Sequence, residues 1–128
     1  MRPTLLLGLS ALFATVCFSA GPVQASGDGQ PPANADITPA KGQIDIKGHP
    51  GWHINTDYRW KFQLADGTKF DKDKNPEKFE FDAKDDRIGG PPHVKLHVPS
   101  GQVLISGAVC STGSGQCESF TRVPVTVP

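Results

Sequence analysis

Residues 58–64 read YRWKFQL, and the alternation in this stretch determines how the rest of the chain is interpreted. Tyr, Trp, Phe and Leu stand at every second position, with Arg, Lys and Gln between them. Successive side chains of a β-strand point to opposite faces of the sheet. The period of two therefore predicts a strand with one buried side and one side that faces solvent.

The same period recurs along most of the chain. The segments are short and are bounded by Gly, Pro, Asn or Asp, which is how strands are separated. They predict an all-β fold, an immunoglobulin-like antiparallel β-sandwich in which each sheet has one wet face. Residues 98–102, VPSGQ, predict a tight hairpin turn. The apolar positions that alternate are Ile44 and Ile46; Phe79 and Phe81; Val94, Leu96 and Val98; Val103, Ile105 and Val109; and Val123, Val125 and Val127.

The first 25 residues have the pattern of a secretory signal peptide. One basic residue, Arg2, is followed by an apolar run and then by small residues. Cleavage is expected between Ala20 and Ala25, and the small-x-small rule favours the bond after Ala25. We therefore predict a periplasmic or secreted protein with no stable membrane insertion after cleavage.

The remaining chain divides by composition. Residues 26–41 are rich in Gly, Pro and Ala and almost without large apolar side chains, so we expect a flexible leader. Residues 42–128 are expected to form one β-sandwich domain. The whole chain has 13 basic and 13 acidic side chains, and losing Arg2 with the signal peptide lowers the net charge from zero to −1. This balance argues against nucleic acid as a partner.

Two cysteines remain after cleavage, Cys110 and Cys117, and they flank the loop STGSGQ. An even number of cysteines in an exported protein predicts a disulfide. Closing this loop would stabilise the fold by about 2.5 kcal/mol in the chain-entropy model. The residues leave two functions open, a structural bond that holds the hairpin or a redox pair that exchanges electrons with other thiols. Glu118, next to Cys117, would disfavour the thiolate that exchange requires.

Two histidines on one predicted strand are candidate metal ligands. His93 and His97 share one face with Lys95 between them. Such a pair can bind copper or zinc, but the intervening lysine favours a solvated face instead. We predict no metal and no other cofactor.

Residues 71–75, DKDKN, begin with the acidic spacing of a calcium-binding loop. Pro76 stands where that loop needs glycine, and Asp82 stands where it needs glutamate. The segment is therefore predicted to be a charged hairpin loop.

A resemblance to a known family rests on two further stretches. GWHIN (51–55) is followed by YRWKF (58–62), and GAVC (107–110) is followed by Cys117 and RVPV (122–125). Over residues 42–127 the chain is similar to the N-terminal periplasmic domain of the thiol:disulfide interchange protein DsbD and to small exported bacterial proteins built on it. The resemblance implies an immunoglobulin-like sandwich whose two cysteines pass electrons from a membrane-embedded partner to periplasmic thiol proteins.

The resemblance also assigns roles to individual residues. Cys110 and Cys117 would be the redox pair, and the partners would be periplasmic thiol–disulfide proteins. Trp52 and His53 match aromatic residues that lie near the thiols, and Phe70 lies at about the separation of a phenylalanine in a covering loop. The alternative is a non-catalytic binding or structural β-sandwich module in which Cys110–Cys117 is a structural disulfide.

Overall fold

The computed structural model describes residues 23–25, 27–85 and 87–128. Most of the predicted signal peptide lies outside these residues. Within them, no helix is long and apolar enough to cross a membrane. The elements are β1 (Val23–Ala25), β2 (Ala35–Ala40), β3 (Gln43–Gly48), β4 (Trp52–Ile54), β5 (Lys61–Leu64), β6 (Lys69–Asp71), a 3-10 turn (Pro76–Lys78), β7 (Phe79–Phe81), β8 (His93–His97), β9 (Gly101–Ser111) and β10 (Cys117–Val127).

The strands form two sheets, which confirms the predicted all-β antiparallel sandwich. The first sheet has the order β1-β10-β9-β5-β6, and β4 also pairs with β9. The second sheet has the order β2-β3-β8-β7. Neighbouring strands are antiparallel, apart from the parallel pair β1–β10. Each sheet turns its apolar side towards the other and its polar side outwards.

Aromatic side chains fill the centre of the core. Trp60 is fully buried and meets Phe120 edge-on, with ring centroids 5.7 Å apart. Gly107 allows this position, because a Cβ atom there would lie 2.2 Å from Trp60 Cζ3. The aliphatic residues predicted by the alternation surround these rings. The fully buried side chains are Trp60, Phe62, Phe120, Ile44, Ile46, Ile54, Leu96, Ile105, Val94, Val103 and Val109.

The prediction of a flexible leader over 26–41 is wrong for its second half. Ala35–Ala40 form β2, which pairs along its length with β3. Ala35 is buried, and Ile37 packs against the core. Two apolar residues suffice because β2 is an edge strand with one neighbour, where Pro39 is also tolerated. Composition alone missed this strand because its large apolar content is a single isoleucine.

The predicted hairpin at 98–102 is also wrong. β8 belongs to the second sheet and β9 to the first, so this connection crosses from one sheet to the other. Val98 N–H donates to Gly42 O at 3.1 Å, which joins the end of β8 to the turn between β2 and β3. Turn-forming residues indicate that the chain changes direction, but they do not determine whether the two flanking strands pair with each other.

Candidate functional site: the cysteine hairpin

Cys110 and Cys117 form a disulfide, as the sequence predicts. They are direct cross-strand partners in the β9–β10 ladder, and their Cα atoms are 3.9 Å apart. Residues on either side of them in the ladder, Val109 and Glu118, face the core side of the sheet, so the cysteines lie on its outer face. Cys110 is 8% exposed, whereas Cys117 is half-buried. Cys117 is therefore the more accessible sulfur.

The loop between the cysteines is held by its own backbone. Ser111 N–H donates to Gln116 O at 2.6 Å, and Gly115 N–H donates to Ser111 O at 2.9 Å. Gly115 has a φ of +73°, a conformation that glycine adopts without strain. Residues 112–115 are exposed. The disulfide thus lies at the base of an ordered, exposed hairpin tip.

β4 brings the predicted aromatic residues to the hairpin. His53 is the cross-strand partner of Cys110, and Trp52 is the partner of Ser111. Side chains that are direct cross-strand partners share one face, with Cβ atoms about 5 Å apart. His53 therefore lies beside Cys110 on the outer face, while Trp52 lies on the opposite face and packs against the core.

The hydrogen bonds around His53 fix its tautomer. Its Nδ1 is 3.1 Å from Thr112 Oγ1, and the Thr112 hydroxyl donates its one proton to Ile88 O. Thr112 Oγ1 can then only accept from His53, so Nδ1 carries the hydrogen and Nε2 keeps its lone pair. Burial lowers the pKa of His53 below its ordinary value, partly opposed by the backbone of Ile88. The ring is therefore neutral near pH 7, with Nε2 as its basic atom.

Residues 88–90 lie against the His53 ring. An isolated bridge pairs Gly90 with Asp85. A Cβ atom on Gly90 would lie 2.6 Å from His53 Cδ2, so the backbone approaches the ring in a way that only glycine permits. The Arg87 side chain bonds to Asp85 and lowers the pKa of that carboxyl. Residues 88–90 therefore cover His53, whereas the covering loop was expected at Phe70.

The structure does not bring Phe70 to the cysteines. Phe70 lies in β6 and stacks on Phe62, with ring centroids 4.9 Å apart. The partner of Phe62 on β9 is Ile105, five residues before Cys110. Phe70 extends the core at the far edge of the sheet and lies away from the site.

Asn55 is a site residue that the sequence analysis did not identify. Its Nδ2 lies 4.0 Å from Cys117 Sγ, a long hydrogen-bond contact to sulfur. Its Oδ1 accepts the Asp57 N–H at 3.0 Å, which fixes the orientation of the amide. Its carbonyl oxygen accepts the Trp60 indole N–H at 2.7 Å. Asn55 is therefore a fixed donor aimed at Cys117.

Glu118 does not face the disulfide. Its carboxylate is buried on the core side of β10 and accepts two backbone N–H groups, from Ala33 at 3.1 Å and from Asn34 at 3.0 Å. These bonds join β10 to the chain that leads into β2. Glu118 thus stabilises the fold, and its charge is satisfied on the face opposite Cys117.

The other histidines pair with carboxylates on the outer face of the second sheet. His93 Nδ1 lies 2.6 Å from Asp82 Oδ2, and His97 Nε2 lies 3.1 Å from Glu80 Oε2. The His97–Glu80 pair is solvated as the sequence predicted, whereas Nδ1 of His93 is buried. In the described part of the chain, no three His, Cys, Asp or Glu side chains are grouped so as to hold a metal ion.

The acidic stretch 71–75 forms a turn stabilised by its own side chain. Asp71 Oδ1 accepts the N–H groups of Asp73 at 3.0 Å and Lys74 at 2.7 Å. The 3-10 turn at Pro76–Lys78 follows directly. The predicted hairpin loop is wrong here, because β6 belongs to the first sheet and β7 to the second, so the segment crosses between the sheets.

An apolar depression of about 320 Å³ lies next to the hairpin. Trp52, Ile88 and Pro92 contribute its apolar wall, and Lys47 and Asp36 lie on its rim. Thr112 N–H donates to Gly51 O at 2.8 Å, which joins the depression to the cysteine loop. The depression is therefore joined to the loop between the cysteines, although neither cysteine lines it.

Comparison of the chain with protein-family models, with curated proteins and with solved structures found no match. The function is therefore argued from the geometry of the cysteine hairpin.

Proposed function

We propose that the chain is an exported thiol–disulfide exchange domain, similar to the N-terminal domain of DsbD, that works through Cys110 and Cys117. One observation carries the proposal: each cysteine has a polar side chain placed beside it by the fold. Asn55 is directed at Cys117, and His53 lies across from Cys110. A purely structural bond requires neither side chain.

Cys117 is the nucleophile in this proposal because it is the more accessible sulfur. In the reduced domain its thiolate attacks one sulfur of a partner disulfide and forms a mixed disulfide, and the other partner sulfur leaves as a thiolate. A hydrogen bond to the charged form of a group lowers its pKa. The Asn55 amide would therefore favour the Cys117 thiolate over the thiol.

Cys110 is the resolving cysteine. Its thiol loses its proton to solvent, and the resulting thiolate attacks Cys117 Sγ. The bond between Cys117 and the partner breaks, and the partner leaves as a dithiol after taking up two protons. The domain is oxidised by two electrons and the partner is reduced by two, so no cofactor is needed.

The apolar depression next to the hairpin supplies the docking surface for the partner. Apolar surfaces with polar rims are common at sites of protein contact. Trp52 is the anchor in this case, since Trp is enriched among residues that dominate binding energy at interfaces.

Two measurements test the proposal. The reduction potential of the pair should lie between about −120 and −270 mV, the range of thiol-exchange proteins, and a value below about −300 mV would mark an inert bond. Cys110→Ser should trap a mixed disulfide with an oxidised periplasmic thiol protein, and Cys117→Ser should not. Asn55→Ala should raise the pKa of the Cys117 thiol, while the control Asn75→Ala should leave it unchanged.

A structural disulfide is the second candidate. The burial of Cys110 favours it, since access controls thiol–disulfide exchange. In that case the sandwich is a non-catalytic module, and the trapping experiment yields no mixed disulfide with either variant.

A further inference from the structure

A second feature of the outer face of the first sheet is a basic depression of about 330 Å³, well separated along β9 from the cysteines. Lys61, Lys69 and Arg122 contribute cationic side chains to it, from three different strands. Leu104 and Ser106 of β9 line it between these strands. The cations therefore surround a concave surface with an apolar part, and not a flat sheet face.

The carboxylates nearest this depression are already engaged. Asp71, the cross-strand partner of Lys61, accepts two loop N–H groups through Oδ1. Asp28 Oδ2 lies 3.9 Å from Arg122 Nη1, and both side chains are more than half exposed, so this pair is weak. Both carboxylates keep their charge, so three cationic side chains face two anionic ones and the net charge around the depression is positive.

The backbone at Arg122 is strained. Its φ is +52°, a left-handed conformation that a residue with a side chain rarely adopts. The ladder between β9 and β10 shifts here, because Phe120 pairs with Gly107 whereas Val123 pairs with Ile105. Two residues of β10 thus stand opposite one residue of β9, which is a β-bulge. Ser106 Oγ accepts the Arg122 N–H at 3.0 Å, and this hydrogen bond offsets part of the backbone strain.

Glycine would relieve this strain, yet an arginine occupies the position and its side chain lines the depression. Bulges redirect side chains and are frequent next to binding sites. We propose that the depression binds a small ligand through an oxyanion, either a phosphoryl or a sulfate group, with its apolar portion against Leu104. This site is independent of the cysteine pair.

The test is an amide NMR titration of the oxidised protein with pyrophosphate as the probe, at constant ionic strength. Shifts confined to Lys61, Ser106, Arg122 and their neighbours, and saturating with the probe, are expected. Sulfate is titrated in a parallel experiment, where the same amides should shift, and the oxyanion that saturates at the lower concentration is the one that the site prefers. Each of Lys61→Gln and Lys69→Gln should weaken binding by up to about fivefold.

Arg122→Gly gives the sharpest result. It should raise the melting temperature by relieving the positive φ, and it should weaken pyrophosphate binding at the same time. The matched control is Lys41→Gln, which removes an exposed lysine from the β2–β3 turn and should leave binding unchanged. Shifts spread over the surface, or equal weakening by Lys41→Gln, would overturn the proposal. The proposal would also be overturned if the Arg122→Gly variant bound pyrophosphate as tightly as the parent protein.

Discussion

Reduction of the Cys110–Cys117 bond should weaken the fold without unfolding it. The closed loop contains the eight residues 110–117. In the chain-entropy model the disulfide lowers the entropy of the unfolded chain by about 8.3 cal/mol/K. This stabilises the folded protein by about 2.5 kcal/mol at 25 °C. A domain of ordinary stability, about 5–15 kcal/mol, survives a loss of this size. β10 also remains paired with β9 along its full length, and the core lies on the opposite face from the cysteines.

The same number predicts a difference in reduction potential. Formation of the disulfide stabilises the folded chain by about 2.5 kcal/mol. The reduction potential of the pair must therefore be about 50 mV lower in the folded than in the unfolded chain. The assay is urea unfolding of the oxidised and reduced protein, followed by the fluorescence of Trp52 and Trp60. With a slope of about 1–3 kcal/mol/M, the midpoint should fall by roughly 1–2.5 M.

A redox titration of the folded and of the urea-unfolded protein measures the predicted difference in reduction potential directly. A reduced protein that is unfolded in the absence of urea would refute the reasoning. A domain that exchanges its disulfide must remain folded in both states, so this result would also leave only the structural candidate. The control is the double variant Cys110→Ala/Cys117→Ala, which should match the stability of the reduced protein.

Three other substitutions follow from the geometry. Gly107→Ala should destabilise the protein by about 2 kcal/mol or more, measured by urea unfolding, because the new methyl group overlaps the Trp60 ring; a neutral result would contradict the packing. Glu118→Ala should cost about 2 kcal/mol, because it leaves two part-buried N–H groups without their acceptor, and unchanged stability would mean that water replaces the carboxylate. The lowered pKa of His53 means that the unfolded chain takes up its proton first as the pH falls below about 6.5, so stability should decline there. His53→Gln should remove that part of the decline, and an unchanged pH profile would refute it.

The alternation of apolar residues was sufficient to predict the sandwich and its core. Trp60, Phe62, Ile44 and Leu96 are buried where the period of two placed them. The partners of the strands could not be predicted in the same way. The turn at 98–102 has the residues of a hairpin, but which sheet a strand joins depends on long-range packing.

The site was predictable only in part. His53 lies beside the cysteines, as the resemblance indicated, whereas Trp52 follows in the ladder but faces the core side of the sheet. Asn55 and Thr112 act through hydrogen bonds between segments far apart in the sequence, which no local pattern reveals. The two adjacent glycines at 89–90 are a sequence signal of the close approach of the backbone to His53, because such an approach requires glycine.

The pairing of β9 with β10 has a consequence for the order of events during folding. Cys110 and Cys117 are seven residues apart, and their strands are consecutive in the chain, so the hairpin can form within microseconds. His53 reaches Cys110 only when β4 joins β9, across 57 residues of chain, and contacts of such separation form slowly. In an oxidising compartment we expect the bond to close on the nascent hairpin, before Asn55 and His53 arrive. The chemistry of oxidation during folding is thus that of an ordinary pair of cysteines, and the polar environment of the sulfurs belongs to the finished molecule alone.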